Sequence, residues 1–180
     1  MIETARLRLR QWVSEDRPPF EALVNTPAMM ARLGGLKNAA GIDAMFEKRL
    51  NDQATHGCTY WATELRDTGE LIGSCGIRLA SNYGDDLPIS NMPEIGWRIS
   101  EAHWGKGYAR EAAEASIAWG WANLDAPAIG AWTTIENRRS WGLMARLGMI
   151  RRPDLDFRLL GHADDDPVGA MIVYTLERPQ

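Results

Sequence analysis

The sequence predicts one mixed α/β domain over residues 1–180, and three observations lead there. Apolar residues alternate with period two in several short segments, and in others they recur at helical spacing. The two kinds follow one another in the order β-α-α-β-β-β-α-β-α-β, a layered arrangement of sheet and helices. Hydrophobic residues make up 45% and charged residues 24%, a globular balance that argues against disorder. A chain of this length buries a core without help from disulfides or metals.

Residues 4–12 read as a half-buried strand, with Leu7 and Leu9 on one face and Arg6, Arg8 and Arg10 on the other. Ser14 or Asp16 can cap the next helix. Pro18 and Pro19 are tolerated there, because a first helical turn has no amide partners to lose. Phe20, Leu23 and Val24 form its apolar face. Gly34, Gly35 and Gly41 punctuate the way to a second helix, residues 42–53, with Ile42, Met45, Phe46 and Leu50 at helical spacing. Residues 58–63 are a strand, 66–69 a turn and 71–79 the hairpin partner. Residues 81–93 are polar and turn-rich, hence a surface loop, and 94–100 a further strand. The helix at 108–124 carries Ala113, Ile117, Trp121 and Leu124 along one stripe. Residues 128–134 are a strand and 137–147 a helix closed by Gly148. Residues 151–168 are mostly loop, and 171–176 a last strand. The strand–helix–strand unit at 94–134 favours one parallel pair within a mostly antiparallel sheet.

A formal net charge of -4 does not suit a general nucleic-acid partner. Cys58 and Cys75 lack metal-ligand spacing, and His56, His103 and His162 are scattered, so no metal is expected and both thiols should be free and buried. The acidic run Asp164–Asp166 beside His162 reads as a solvated loop. No signal core or span-length apolar run is present, so no membrane partner and a cytoplasmic location are expected. Trp119, Trp121 and Trp132 fit packing, whereas Trp12, Trp61 and Trp141 fit either packing or the wall of a cleft. Oligomeric state leaves no mark in the sequence.

The segment His103-Trp104-Gly105-Lys106-Gly107-Tyr108-Ala109 is a strand-to-helix turn with two glycines. Glycine permits positive φ and close approach of a ligand, and amides at a helix start favour an anion. The segment is neither a nucleotide P-loop nor the dinucleotide fingerprint, since Gly-Lys-Ser/Thr and the third glycine are missing. Packing of the helix on its strand is the alternative use of such a turn. Together with Glu94-Ile95-Gly96-Trp97-Arg98-Ile99 and the continuation Arg110-Glu111-Ala112, the loop resembles the acetyl-coenzyme A signature of the GNAT superfamily. The branch it looks like includes the ribosomal-protein-alanine N-acetyltransferases. Thr4-Ala5-Arg6-Leu7, Gly69-Glu70-Leu71-Ile72-Gly73, Glu136-Asn137-Arg138-Arg139-Ser140 and Leu147-Gly148-Met149 extend the match in consistent order from about residue 4 to about 176.

The resemblance implies a GNAT-like mixed sheet with helices on both faces, and acetyl transfer from acetyl-coenzyme A to a primary amine. The amides of Gly105, Lys106, Gly107, Tyr108 and Ala109 would hold the pyrophosphate, and the backbone of Trp97, Arg98 and Ile99 would pair with the pantetheine arm. Trp104 stands where the signature usually has Arg or Gln. Lys106, Arg110 and Arg139 are phosphate partners or solvated cations. Glu94 is either the general base, as often in the superfamily, or a solvated strand-edge carboxylate. Met144 holds the position of the usual Tyr acid, four residues before Gly148, which leaves Ser140 one turn earlier as a hydroxyl donor. Asn137 either caps its helix or contacts the cofactor. By the branch, the acceptor is first a protein N-terminal α-amine, and second a polyamine, amino acid or antibiotic. The loops at 81–93 and 151–168 would shape that choice. A non-catalytic coenzyme A sensor is the other reading.

Overall fold

The computed structural model describes residues 1–31, 34–79, 83, 86–163 and 165–179. Of the expected features, residues 81, 82, 84 and 85 of the polar loop and Asp164 of the acidic run lie outside them. In chain order the elements are β1 (Ile2–Glu3), β2 (Leu7–Arg10), α1 (Arg17–Val24), α2 (Pro27–Met30), α3 (Ala39–His56), β3 (Tyr60–Leu65), β4 (Leu71–Leu79) and β5 (Pro93–Ile99). They continue as α4 (Tyr108–Asn123), β6 (Ala128–Thr133), α5 (Arg138–Arg146), β7 (Ile150–Arg151), β8 (Phe157–Arg158) and β9 (Ala170–Glu177). The fold is mixed α/β with mostly antiparallel pairing, as the sequence predicts. Its contacts fall into two compact units, Met1–Arg78 with Ile95–Trp119, and Leu79–Glu94 with Gly120–Gln180.

In the first unit the strand order is β1-β2-β3-β4-β5. Side chains of β3 alternate between two faces, and each face is covered by helices. On the Ala62 face, Trp12, Phe20 and Val24 pack with Ile42 and Phe46 of α3. Trp12, Phe20 and Phe46 form a triangle with centroids 5.3–5.8 Å apart. The Trp12 indole N–H donates to the Tyr60 carbonyl at 2.7 Å, so this ring is core and not a cleft wall. On the opposite face Trp61 meets Trp119 of α4 edge-on at 4.8 Å, and Cys75 Sγ lies 3.8 Å from Ser116 Oγ. Both cysteines are free and buried, as expected. Burial lifts the Cys58 thiol to about 11 and the Cys75 thiol to about 12, which keeps both protonated at neutral pH.

Several boundaries differ from the sequence reading. The expected strand 4–12 is broken at Thr4, whose amide turns back to the Leu7 carbonyl at 2.9 Å. Asp16 does not cap α1 with its side chain. Its carboxylate is taken by the Arg10 guanidinium at 2.6 and 2.9 Å, which also reaches Glu64 at 2.7 Å. Gly41 is no break either. It lies inside α3, its amide bonded to the Asn38 side-chain oxygen at 2.9 Å, so the helix starts three residues earlier than its apolar spacing suggests. Strand β3 runs two residues later than predicted, and the short α2, with Thr26 as its cap, was not anticipated.

In the second unit β9 is the central strand. It pairs antiparallel with β6 from Ala128↔Glu177 to Thr133↔Ile172, and β7 and β8 also pair with it. The stretch 151–168, expected as mostly loop, thus holds one small strand and part of another. Ile89, Trp132, Phe157, Met171 and Val173 form the core, with Tyr83 edge-on to Trp132 at 5.3 Å. The expected parallel pair is present: Glu94 on β5 lies opposite Gly130 on β6. Helix α5 ends at Gly148 with φ +80°, the left-handed stop that the sequence marks.

Candidate functional site

The glycine loop joins β5 to α4, as the sequence spacing requires. Gly105 and Gly107 have φ of +77° and +83°, values that side-chain-bearing residues adopt at a cost. The first helical bond runs from the Glu111 amide to the Gly107 carbonyl at 3.1 Å. The amides before Glu111 therefore open α4 without intrahelical acceptors, at the positive end of a 16-residue helix. Such a cradle fits a diphosphate.

Residues with no assigned role in the sequence reading hold this loop in place. Arg6 donates from Nη1 to the Lys106 carbonyl at 3.0 Å and from Nε to Glu111 at 2.7 Å, while its guanidinium stacks 4.6 Å over the Tyr108 ring. Glu111 also accepts from Thr4 Oγ1 at 2.6 Å and from the Arg6 amide at 2.8 Å. Burial alone would raise the Glu111 carboxyl, but the hydrogen bonds from Thr4 and Arg6 hold it below its ordinary range. The signal was present, since Thr4, Arg6 and Glu111 all stand inside the motifs that carry the resemblance. Nothing local in the sequence joined them.

A pH-dependent stability follows. A depressed carboxylate contributes stability above its unfolded pKa, and that contribution is lost as pH falls through the folded value. Glu111→Gln is expected to lower stability at neutral pH by about 1–2 kcal/mol, discounted for the half-exposed Arg6. The gap in melting temperature between wild type and variant should close on acidification to below the ordinary carboxylate range. A gap that persists in acid means that the ionised carboxylate is not what braces the loop.

Strand β5 presents Trp97, Arg98 and Ile99 in sequence before the loop. Its place beside β4 depends on Gly73, where an added Cβ would sit 2.1 Å from the Arg98 carbonyl oxygen. This gives the Gly73 of the resemblance a physical reason. Trp104 donates from its indole to the Ile99 carbonyl at 2.6 Å, so the ring that replaces the usual Arg or Gln caps the end of the strand.

Glu94, Asn137, Ser140 and Met144 lie in the second unit. Glu94 is 6% exposed, which removes the solvated strand-edge reading. The Tyr83 hydroxyl donates to its carboxylate at 3.2 and 3.3 Å. Tyr83 was missed because it falls in a turn-rich stretch without periodicity. Asn137 occupies the N-cap position of α5, but its side chain makes no capping bond. Its amide instead donates to Thr133 Oγ1 at 2.8 Å, which corrects the capping alternative. Ser140 is partly buried, and its hydroxyl makes no bond to a described residue. Met144 is buried in the core at 1% exposure. Trp141 is tied to the Ile135 carbonyl at 3.0 Å. No cluster of potential metal ligands occurs among the described residues. No helix among them is long and apolar enough to cross a membrane.

The family model for an acetyltransferase (GNAT) domain matches residues 6–150, from the Arg6 brace through α5. The chain belongs to the GNAT acetyltransferase family. This GNAT protein is 30% identical to the uncharacterized N-acetyltransferase YoaA of Bacillus subtilis over 156 residues, 82% of this chain and 81% of YoaA. It is similar in structure to an acetyltransferase from Agrobacterium tumefaciens, with a TM-score of 0.77 and 28% identity, covering 98% of this chain and 93% of the other. At 17% identity and a TM-score of 0.71 it shares its fold with spermidine N-acetyltransferase from Vibrio cholerae, solved in complex with CoA and spermine; the match covers 97% of each chain. A GNAT acetyltransferase is an acyl-transfer enzyme, and the expected family and fold class stand.

Proposed function

We propose that this acetyltransferase moves an acetyl group from acetyl-coenzyme A to a primary amine, with a protein N-terminal α-amine as the first acceptor class. The observation that carries the reading is the loop 105–109, where two positive-φ glycines open a long helix and Arg6 and Glu111 brace the turn. The amides of Gly105, Lys106, Gly107, Tyr108 and Ala109 hold the pyrophosphate. The backbone of Trp97, Arg98 and Ile99 extends to the pantetheine arm, and Asn137 contacts the cofactor from α5. The reaction occurs in a ternary complex within one domain, residues 1–180, in the cytoplasm. No metal takes part.

The chemistry follows from the protonation state of the amine. An ammonium has no lone pair, so Glu94 removes the proton, directly or through water, as nitrogen attacks the thioester carbonyl. Burial of Glu94 beside Tyr83 supports that role, because it fixes the carboxylate in one position. A backbone amide of β5 stabilises the oxyanion. Carbon–sulfur cleavage then releases the thiolate, which takes the proton of the Ser140 hydroxyl as that hydroxyl regains one from water, and the proton that Glu94 took from the amine returns to solvent to balance it. The unengaged Ser140 hydroxyl supports this, since a back-bond to its own helix would compete. Ser140→Ala should lower kcat more than it weakens acetyl-coenzyme A binding. A variant with normal turnover, or with its whole defect in cofactor affinity, ends the proton-donor role.

Acetyl-coenzyme A with a panel of peptides, polyamines, amino acids and aminoglycosides, read as free thiol, tests the proposal. Release with peptides above all others is the expected result. Release with small amines instead moves the acceptor to the second class. Cofactor binding without release from any amine leaves the sensor reading, to which the absence of a hydroxyl at Met144 lends support.

A further inference from the structure

On the Tyr60 face of the first unit, cationic side chains gather that the site above does not use, Arg98 serving there through its backbone alone. Arg49 of α3 is 4% exposed, yet its Nε has no hydrogen-bond partner, and it forms no salt bridge with a described residue. Its guanidinium lies 4.5 Å over the Tyr60 ring, and that of Arg78 lies 4.9 Å from the same ring. Gly96 abuts Tyr60, with an added Cβ only 2.5 Å from the ring, so Arg98, two residues further along β5, shares that face. Ser74 lies opposite Ala62 as Gly76 lies opposite Tyr60, which puts its buried hydroxyl on this face too; Ser74 Oγ also lacks a partner.

Burying an arginine that forms no ion pair is costly, and like charges around it add to the cost. Burial, then Arg98 and Arg78, push Arg49 down to about 9, while Tyr60 and Asp52 act weakly the other way. Asp52 accepts from the Lys48 ammonium through Oδ1 at 3.0 Å, while its buried Oδ2 has no hydrogen-bond partner and forms no salt bridge with Arg49. An oxyanion relieves this arrangement, since guanidinium forks match a carboxylate and a serine hydroxyl can donate to it. A polyamine would meet cations of its own sign.

We propose that Arg49, Arg78, Arg98 and Ser74 around Tyr60 form a subsite for a carboxylate on the amine acceptor. The assignment rests on the acetyl-transfer reading, because Arg98 stands on the strand to which that reading brings the thioester arm. The acceptor is then an amine that also bears a carboxylate, from a free amino acid or an acidic peptide.

The test compares kcat/KM for matched acceptors that differ only in that group: amino acids against their amides, and acidic dipeptides against their glutamine or asparagine counterparts. Spermidine is included as a cation. Wild type is expected to favour the carboxylate by about tenfold or more, the loss that follows when a charged hydrogen-bond partner is withdrawn. In Arg49→Met the ratio should fall towards one, and Arg78→Met should act in the same direction. The two acceptor series separate a free amino acid from an acidic peptide as the source. A second arm needs no turnover: glutarate alone should raise the melting temperature of wild type and not of Arg49→Met. Equal rates for acid and amide, a preference for spermidine, or a glutarate shift that survives Arg49→Met overturns the subsite. Absence of thiol release from every amine sinks the acetyl-transfer reading, and the glutarate arm then decides the arginine subsite alone.

Discussion

Acetyl-coenzyme A should stabilise the wild-type chain against heat, and Gly107→Val should abolish that stabilisation. A ligand at 100 times its Kd that binds only the native state adds about 2.7 kcal/mol, a rise of about 5–10 °C for a chain of this size. Gly107 has φ +83°, and the nearest atom to an added Cβ is the flexible end of Arg6 at 3.4 Å. Space is therefore not the obstacle; backbone conformation is. A β-branched residue disfavours this φ by about 1–2 kcal/mol or more, so the turn shifts and its amides no longer converge on one point. The strain is smaller than the stability of an ordinary domain, so the variant stays folded by far-UV circular dichroism. A Val variant that keeps the full shift would take the loop out of the cofactor site.

The glycine turn and the helix that it opens were legible because their determinants are local. Two glycines before a helical stripe mark a strand-to-helix turn open to packing or to an anion, with the flanking motifs favouring the anion, and strand β4 was read at its observed bounds from its alternation and hairpin turn. The failures share one cause, a partner distant in sequence. Residues 4–12 alternate like a continuous strand, but Thr4 and Arg6 bend to reach Glu111, more than a hundred positions away. Asp16 looks like a cap until Arg10 claims its carboxylate. Gly41 looks like a break because glycine is a poor helix former, whereas Asn38 three residues before it supplies the cap. Trp12 was open to two uses, and the packing of Phe20 and Phe46 around it decided for the core. Arg49 carried no signal: an arginine within an amphipathic helix reads as solvated until the burial of its neighbours is known.

Glu94→Gln is expected to lower the acetyl-transfer rate by about 10²–10⁴-fold at neutral pH, the usual consequence of removing a general base. Glutamine keeps the size of the side chain and can still accept from the Tyr83 hydroxyl, so acetyl-coenzyme A binding and melting temperature should change little. The change removes only the capacity to take a proton. The deficit should therefore shrink as pH rises towards the pKa of the amine, where the acceptor deprotonates without help. Tyr83→Phe gives the graded companion: it leaves the base in place, removes the hydroxyl that fixes it, and should cost less than Glu94→Gln across the whole pH range. Comparing kcat/KM for wild type and both variants from neutral to alkaline pH separates the possibilities. A Gln variant with wild-type turnover at neutral pH would return Glu94 to a structural role. A deficit that stays constant as the amine deprotonates would show that Glu94 positions the acceptor and does not take its proton.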